Sequence, residues 1–345
     1  MAGLIYTLQL WSKATLFGTF VALSILKDIV VKGPRNVFHR KQWGRPSYLD
    51  DPKLGTHGFL TLKDVRIHYV ASGPEDKPLM LFVHGFPEFW YSWRNQIREF
   101  QKDYRVVAID QRGYSESSKP AGIHNYSVEK LTSDLEQVIQ ALGYKSCVLV
   151  AHDWGGLVAW DFGIRYPKLV DKLIVMNAPP YSLFGRILNT NPEQAKKSRY
   201  VFFFQLPFLP EFALKLGDYA LFNALLPSKF SKPKSEIPDS VTQEHIAPYK
   251  YTFSQPGALS PPLNYYRHLM RRGNDSALDY NLQYLMPALL IWGCQDKALD
   301  MAIPKTIEKD VPTIEVKTIP NANHFVQTDA PDEVNKIMRE WLNKH

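Results

Sequence analysis

The stretch CVLVAHDWGGLV, at residues 147–158, combines residue types and spacing that could perform chemistry. An apolar, β-branched run ends at Asp153, and two glycines and helix-like spacing follow. This pattern predicts a strand, a sharp turn and a helix, which together project the side chain at the turn towards a catalytic base. A carboxylate there suits displacement at a saturated carbon that carries a good or strained leaving group. Asp153 could instead only cap the helix, but Gly155 and Gly156, which permit a tight turn, favour the nucleophile.

Two later residues could complete a catalytic set with Asp153. They are Asp296, in WGCQDKALD, and His324, in NANHFVQTDAP. The chain order nucleophile, acid, histidine differs from the orders in chymotrypsin and subtilisin. Asp300 is an alternative acid, but Asp296 directly follows a strand-like run. An earlier loop, HGFPE, also follows such a run, and we expect its histidine to be structural, as we expect of His152.

Composition bounds the possible functions. The chain has 345 residues, of which 45% are hydrophobic and 22% charged, so it can bury a large core. Cys147 and Cys294 lie in or beside apolar runs, which favours reduced packing residues over a disulfide. The sequence has no CxxC or HExxH pattern and no histidine cluster, so we expect no metal site and no cofactor.

Strand-like and helical patterns alternate along most of the chain, which predicts a doubly wound, mostly parallel α/β sheet. The alternation is interrupted by an interval rich in aromatic residues and proline, with helical stretches and no convincing strand. We expect a helical lid at residues 181–285, inserted between two parts of one core at 58–180 and 286–345. The predicted strands are residues 65–71, 79–83, 106–109, 148–151, 173–176, 288–292 and 314–319, and helices are predicted at 128–142 and at the C-terminus.

The N-terminal segment is apolar and is followed by basic residues. We predict a membrane anchor at residues 1–32, with a cleaved signal peptide as the second and an interfacial helix as the third interpretation. Residues 33–57 are predicted to be a basic linker. The positive-inside bias would leave the domain facing the cytosol, for which the endoplasmic reticulum is the expected membrane. Sequons at Asn125 and Asn274 would matter only if the domain faced a lumen.

The formal net charge of +7 does not indicate a nucleic-acid partner. Much of the basic excess lies between residues 27 and 45, where Asp28 is the single acidic residue. Its position beside the apolar segment is typical of a juxtamembrane region. The basic residues of this segment are Lys27, Lys32, Arg35, Arg40, Lys41 and Arg45.

Several motifs together carry a family resemblance. HGFPEFWYSW, DQRGYSESSKP, AHDWGG, the late QD and the NH of NANHF resemble those of an epoxide hydrolase of the α/β-hydrolase superfamily, closest to the membrane-anchored epoxide hydrolase 3 and 4 type. The resemblance covers the chain from about residue 55 to its end. It implies an α/β-hydrolase fold and a pair of lid tyrosines that hold the epoxide oxygen, which map onto Tyr200 and Tyr266, with Tyr265 as the alternative for the second. Asn323 and Phe325 stand where the family commonly has Gly and Trp around the histidine.

The resemblance also implies a mechanism. Asp153 would attack an epoxide carbon to form an alkyl-enzyme ester, and the tyrosines would donate hydrogen bonds to the opening ring oxygen. His324, held by Asp296, would then activate a water that hydrolyses the ester. The backbone N–H groups of Phe86 and Trp154 would stabilise the oxyanion. The expected substrates are water and a lipophilic epoxide, with fatty-acid epoxides implied by the family, and the product is a vicinal diol.

Two other functions use the same residues. A haloalkane or haloacid dehalogenase has the same aspartate nucleophile and base, and the indole N–H of Trp154 could bind a halide. However, the HGFPE loop differs from the HGNP-like loop of haloalkane dehalogenases, and a tyrosine pair suits an alkoxide better. A catalytically silent scaffold that binds a lipid or a partner is the other alternative, since a fold alone does not establish activity.

Overall fold

The computed structural model describes residues 2–225, 239–271 and 283–345. Within these ranges the chain forms one sheet in the order β1-β2-β4-β3-β5-β6-β7-β8. The strands are β1 (Thr56–Thr61), β2 (Arg66–Ser72), β3 (Leu79–Val83), β4 (Arg105–Ile109), β5 (Cys147–His152), β6 (Val170–Met176), β7 (Ala288–Gly293) and β8 (Ile314–Ile319).

The sheet is antiparallel at one edge and parallel elsewhere. Strand β1 pairs antiparallel with β2, and β2 with β4, while the strands from β4 to β8 are all parallel. Every residue of β3, β5 and β7 is buried. Burial on both faces explains why these strands are continuous apolar runs in the sequence.

Helices cover both faces of the sheet. The described helices are α1 (Ala2–Lys32), α2 (Pro34–Val37), α3 (Arg94–Phe100), α4 (Val128–Ala141), α5 (Asp153–Arg165), α6 (Tyr181–Thr190), α7 (Pro192–Lys197), α8 (Arg199–Phe203), α9 (Leu209–Leu225), α10 (Asp239–Ser254), α11 (Ser260–Arg271), α12 (Ala302–Asp310), α13 (Val326–Asp329) and α14 (Pro331–Leu342). Helix α9 has non-helical backbone at residues 216–219.

Helices alone occupy the described part of the interval between β6 and β7. Helices α6 to α11 lie there, in the interval that the sequence predicted to be an inserted helical lid, and these helices are called the lid below. Parallel strands carry their ligands outside their carboxyl ends. The interval leaves β6 at its carboxyl end, so its first helices begin next to that end, before the chain returns to the amino end of the parallel strand β7.

Residues 33–57 differ from the linker that the sequence predicted. Strand β1 begins inside this range, and the segment before it contacts the folded domain. The indole of Trp43 donates to Asp218 Oδ1 at 2.9 Å, and Arg45 pairs with Glu116 at 2.6 Å. These contacts use the polar side chains that made the segment resemble a linker in the sequence.

Helix α1 lies against the lid. Leu10 and Ala14 are buried, and the Tyr6 hydroxyl donates to the carbonyl of Met270 at 2.8 Å. The other faces of the helix expose large apolar side chains, and the helix is long and apolar enough to cross a membrane, a property that signal sequences and core helices share. The exposed side chains include Leu4, Ile5, Leu8, Leu16, Phe20, Leu23 and Leu26.

Candidate active site

Asp153 lies at a strained corner between β5 and α5. Its φ is 49°, in the left-handed region that side chains other than glycine rarely adopt, at a cost of about 1–3 kcal/mol. The sequence predicted this strand, turn and helix. Gly155 makes the corner possible, because a Cβ there would lie 2.3 Å from the carbonyl oxygen of Val83.

The loop after β3 holds one oxygen of the Asp153 carboxylate. The backbone N–H of Phe86 donates to Asp153 Oδ1 at 2.7 Å. Asp153 Oδ2 lies 3.3 Å from His324 Nε2. The two carboxylate oxygens therefore have different surroundings, one fixed by an amide and the other facing the imidazole.

His324 also contacts Asp296. His324 Nδ1 is 2.7 Å from Asp296 Oδ2. The other oxygen of Asp296 accepts the N–H groups of Ala298 and Leu299 at 2.7 and 2.8 Å. Asp300, the alternative acid, pairs instead with Lys197 at 3.2 Å. The structure thus brings Asp296 rather than Asp300 to the histidine.

Burial and charge set the protonation of this group. Burial would raise the pKa of Asp153, but the hydrogen bond and charge of His324 hold it below its usual value. Burial would likewise lower the pKa of His324, but the carboxylates of Asp296 and Asp153 raise it well above its usual value. The site therefore contains two carboxylates and an imidazolium at neutral pH.

Helices α8 and α11 contribute two tyrosines to the cavity at Asp153. Tyr200 and Tyr266 line a cavity of about 290 Å³ together with Asp153 and His324. Burial raises the pKa of both hydroxyls, so they remain protonated donors at neutral pH. Tyr265, the alternative, donates to the carbonyl of Arg112 at 2.7 Å and is fully buried.

The chain is similar in sequence and in fold to known proteins. Residues 78–331 match the family model for the alpha/beta hydrolase fold. The chain is 41% identical to epoxide hydrolase 3 of Xenopus tropicalis, over 96% of this chain and 91% of that protein. It is 40% identical to human epoxide hydrolase 4, over 97% and 93%. A crystal structure of a Bacillus megaterium epoxide hydrolase with an inhibitor has a TM-score of 0.72 and 36% identity, and the match covers 83% of this chain and all of that one.

The chain belongs to the epoxide hydrolases of the α/β-hydrolase superfamily. This assignment confirms the fold and the activity that the sequence resemblance implied.

Buried polar residues join the three loops of this epoxide hydrolase. Glu88 Oε2 is 2.6 Å from His152 Nδ1 and accepts the N–H of Gly85 at 3.1 Å. His152 Nε2 is 2.8 Å from the carbonyl oxygen of His324. Sequence reasoning expected His152 to orient its loop but gave Glu88 no role. A charged residue inside an otherwise apolar loop was the available signal.

Asn177 is a second residue that sequence reasoning missed. Its side-chain amide donates to Asp296 Oδ2 at 2.7 Å, and its carbonyl oxygen accepts the N–H of Gly293 at 2.9 Å. Asn177 therefore fixes the carboxylate that contacts His324. Its position directly after the buried strand β6 is where a polar site residue is expected.

One group of potential metal ligands lies away from this site in the described part of the chain. Single ligand atoms of His57, His68 and Glu116 lie within 4.8 Å of one another. However, His68 Nδ1 is 2.7 Å from Asp110, its Nε2 is 2.9 Å from His57, and Glu116 pairs with Arg45. Existing hydrogen bonds thus occupy these groups, and we assign no metal to them.

Proposed function

We propose that this epoxide hydrolase opens lipophilic epoxides, fatty-acid epoxides among them, by a two-step mechanism through Asp153. Asp153 Oδ2 attacks an epoxide carbon, the C–O bond of the strained ring breaks, and an alkyl-enzyme ester forms. Tyr200 and Tyr266 donate to the ring oxygen, which leaves as an alkoxide and takes a tyrosine proton; the His324 imidazolium gives up the proton that replaces it and becomes neutral. The main support is the contact of one carboxylate with both the Phe86 amide and His324.

In the second step, His324 removes a proton from a water that attacks the ester carbonyl. Asp153 Oδ1 already accepts the N–H of Phe86, so this amide is in place when the carbonyl oxygen becomes negative. Trp154, in the first turn of α5, would supply a second N–H that the helix leaves without an internal partner. Loss of one such donor typically costs about 2.7–4 kcal/mol. The ester C–O bond then breaks, and the diol and the Asp153 carboxylate are released.

The test is mass spectrometry of the His324→Ala variant after exposure to an epoxy fatty acid. Without the base, the ester should form and persist, so the peptide that contains Asp153 should gain the mass of the substrate. The matched control is His124→Ala, which removes an exposed histidine away from the site and should accumulate no adduct.

The other outcomes discriminate between mechanisms. No adduct in His324→Ala, with diol formed by the wild type, would contradict the assigned nucleophile or the two-step scheme. Halide release from a haloalkane without hydrolysis of any epoxide would identify a dehalogenase.

We propose further that α1 attaches the enzyme to a membrane, with the domain in the cytosol. The exposed apolar faces of α1 support attachment. The contacts of Tyr6, Leu10 and Ala14 with the lid favour a helix that lies along the interface over a helix that projects across the bilayer. Glycosylation of Asn125 would show that the domain faces a lumen instead; Asn274 lies outside the described residues.

A further inference from the structure

A large groove lies between α1 and the lid, outside the site described above. Its volume is about 930 Å³. Helix α1 forms one wall from Tyr6 to Phe17, a length of about 16 Å at 1.5 Å per residue. Helices α6, α7 and α8 and the end of α11 form the rest. The groove is therefore long enough to hold an extended apolar chain.

The groove adjoins the active site. A small cavity of about 50 Å³ is lined by Asp153, Tyr200 and Tyr266, and also by Phe184 and Leu269. Phe184 and Leu269 line the groove as well. These two apolar side chains are therefore the partition between the groove and the carboxylate of Asp153.

Basic side chains line the groove, without acidic side chains among its described lining residues to pair with them. Lys13, Lys196 and Arg199 line it, and among the described lining residues there is no aspartate or glutamate. No carboxylate in the described part of the chain lies within ion-pair distance of these three cations. The fourth lining cation, Arg186, differs because it pairs with Asp310 at 2.8 Å.

Lys13 and Arg199 each contact an aromatic ring of the opposite wall of the groove. The Lys13 ammonium lies 4.9 Å from the ring centre of Phe202, and the Arg199 guanidinium lies 5.8 Å from that of Phe17. Each cation thus lies over an aromatic ring of the opposite wall, and both residues line the groove. Apolar walls beside cations that form no ion pair with a described carboxylate suit an amphiphile with one anionic head group.

We propose that this groove binds the acyl chain and carboxylate of a free long-chain epoxy fatty acid, with the carboxylate at Lys13, Lys196 and Arg199 and the epoxide delivered past Phe184 and Leu269 to Asp153. The proposal rests on the proposed function and adds a head-group site and a route to it. The N-terminal helix is then part of the substrate site as well as a membrane attachment.

The test compares epoxystearic acid with its methyl ester, using the full-length enzyme. In the double variant Lys13→Gln, Arg199→Gln, the ratio of kcat/KM for the acid to kcat/KM for the ester should fall roughly tenfold, through a higher KM for the acid. The neutral ester makes no ion pair with these cations, so its own kcat/KM should not change. The conservative pair Lys13→Arg, Arg199→Lys should restore the ratio. The control Lys336→Ala, on the exposed face of α14, should leave it unchanged.

Three results would overturn the proposal. One is an equal loss of kcat/KM for the acid and for the ester in the double variant. Another is an acid preference that depends on Lys297, which lines the opposite cavity at His324. The third is a double variant that no longer binds phosphatidylglycerol vesicles but still prefers the acid to the ester. This result would assign the cations to phospholipid head groups.

Direct binding separates this proposal from the proposed function. Palmitate, which has no epoxide, should bind the wild type in calorimetry and bind the double variant roughly tenfold more weakly. Palmitate binding without hydrolysis of any epoxide would contradict the proposed function but would still support the proposed fatty-acid site in the groove. Hydrolysis of styrene oxide without palmitate binding would contradict the proposed fatty-acid site in the groove but would still support the proposed function.

Discussion

The charge on His324 depends on the chemical state of Asp153. In the free enzyme the imidazole lies between Asp296 at 2.7 Å and Asp153 at 3.3 Å, and the two carboxylates raise its pKa. In the proposed mechanism, formation of the ester neutralises Asp153 and removes one of these contributions. The pKa of His324 would then fall, so the imidazolium would give up the proton that neutralises the alkoxide, and the neutral imidazole would be the base that activates the water.

This coupling predicts that the two steps differ in their dependence on pH. Ester formation needs an ionised Asp153, whose pKa is held below its usual value, so it should persist as the pH falls. Ester hydrolysis needs neutral His324, so it should slow as the pH falls below the pKa of His324 in the ester. Rapid quenching with mass spectrometry should therefore show more ester, and slower diol formation, at lower pH. A parallel decline of both steps would contradict this coupling.

At the scale of the elements, three loops converge because parallel strands end at one edge of the sheet. The loop after β3 supplies the Phe86 amide, the corner after β5 supplies Asp153, and the loop after β8 supplies His324. Glu88 and His152 join these loops by buried hydrogen bonds. Helix α5, which begins at Asp153, packs against the end of β3 at Gly155, so the distance between the Phe86 amide and Asp153 depends on this close contact.

The Gly155→Ala substitution tests this packing. The added Cβ would lie 2.3 and 2.5 Å from the backbone oxygens of Val83 and His84, which are fixed in or beside the sheet. We expect a loss of about 1–3 kcal/mol in the free energy of unfolding and a lower kcat. The control Gly185→Ala meets no atom within 4 Å and should be neutral or stabilising by up to about 1 kcal/mol. An unchanged melting temperature in Gly155→Ala would contradict the packing argument.

Sequence patterns predicted seven of the eight strands, including the edge strand β8, and missed the other edge strand, β1. Strands β3, β5 and β7 are continuous apolar runs and were predicted close to their observed bounds. Strand β1 was missed because it is an edge strand with exposed residues and a glycine, Gly58. The order of Asp153, Asp296 and His324 along the chain indicated the candidate set, but Glu88 and Asn177 act through contacts between distant loops, which spacing cannot reveal.

At the scale of the whole molecule, the position of α1 sets how the enzyme would meet a membrane. Ala14 has no exposed surface, and a Cβ on Gly18 would lie 2.2 Å from Leu206 of the lid, so the helix and the lid are in close contact. Phe208, next to this contact in the chain, is 84% exposed. An exposed aromatic side chain beside an apolar helix is typical of a surface that enters the interface of a bilayer.

We therefore expect Phe208→Asp to weaken attachment of the full-length enzyme to lipid vesicles, because it places a charge where the lid would meet the interface. Flotation of vesicles in a density gradient measures the bound fraction. Leu285→Asp is the matched control, since Leu285 is 81% exposed but precedes β7, at the end of the sheet opposite the active site, and should leave attachment unchanged. If Phe208→Asp floats as well as the wild type and alkaline carbonate fails to extract it, α1 crosses the bilayer and the lid stays clear of it.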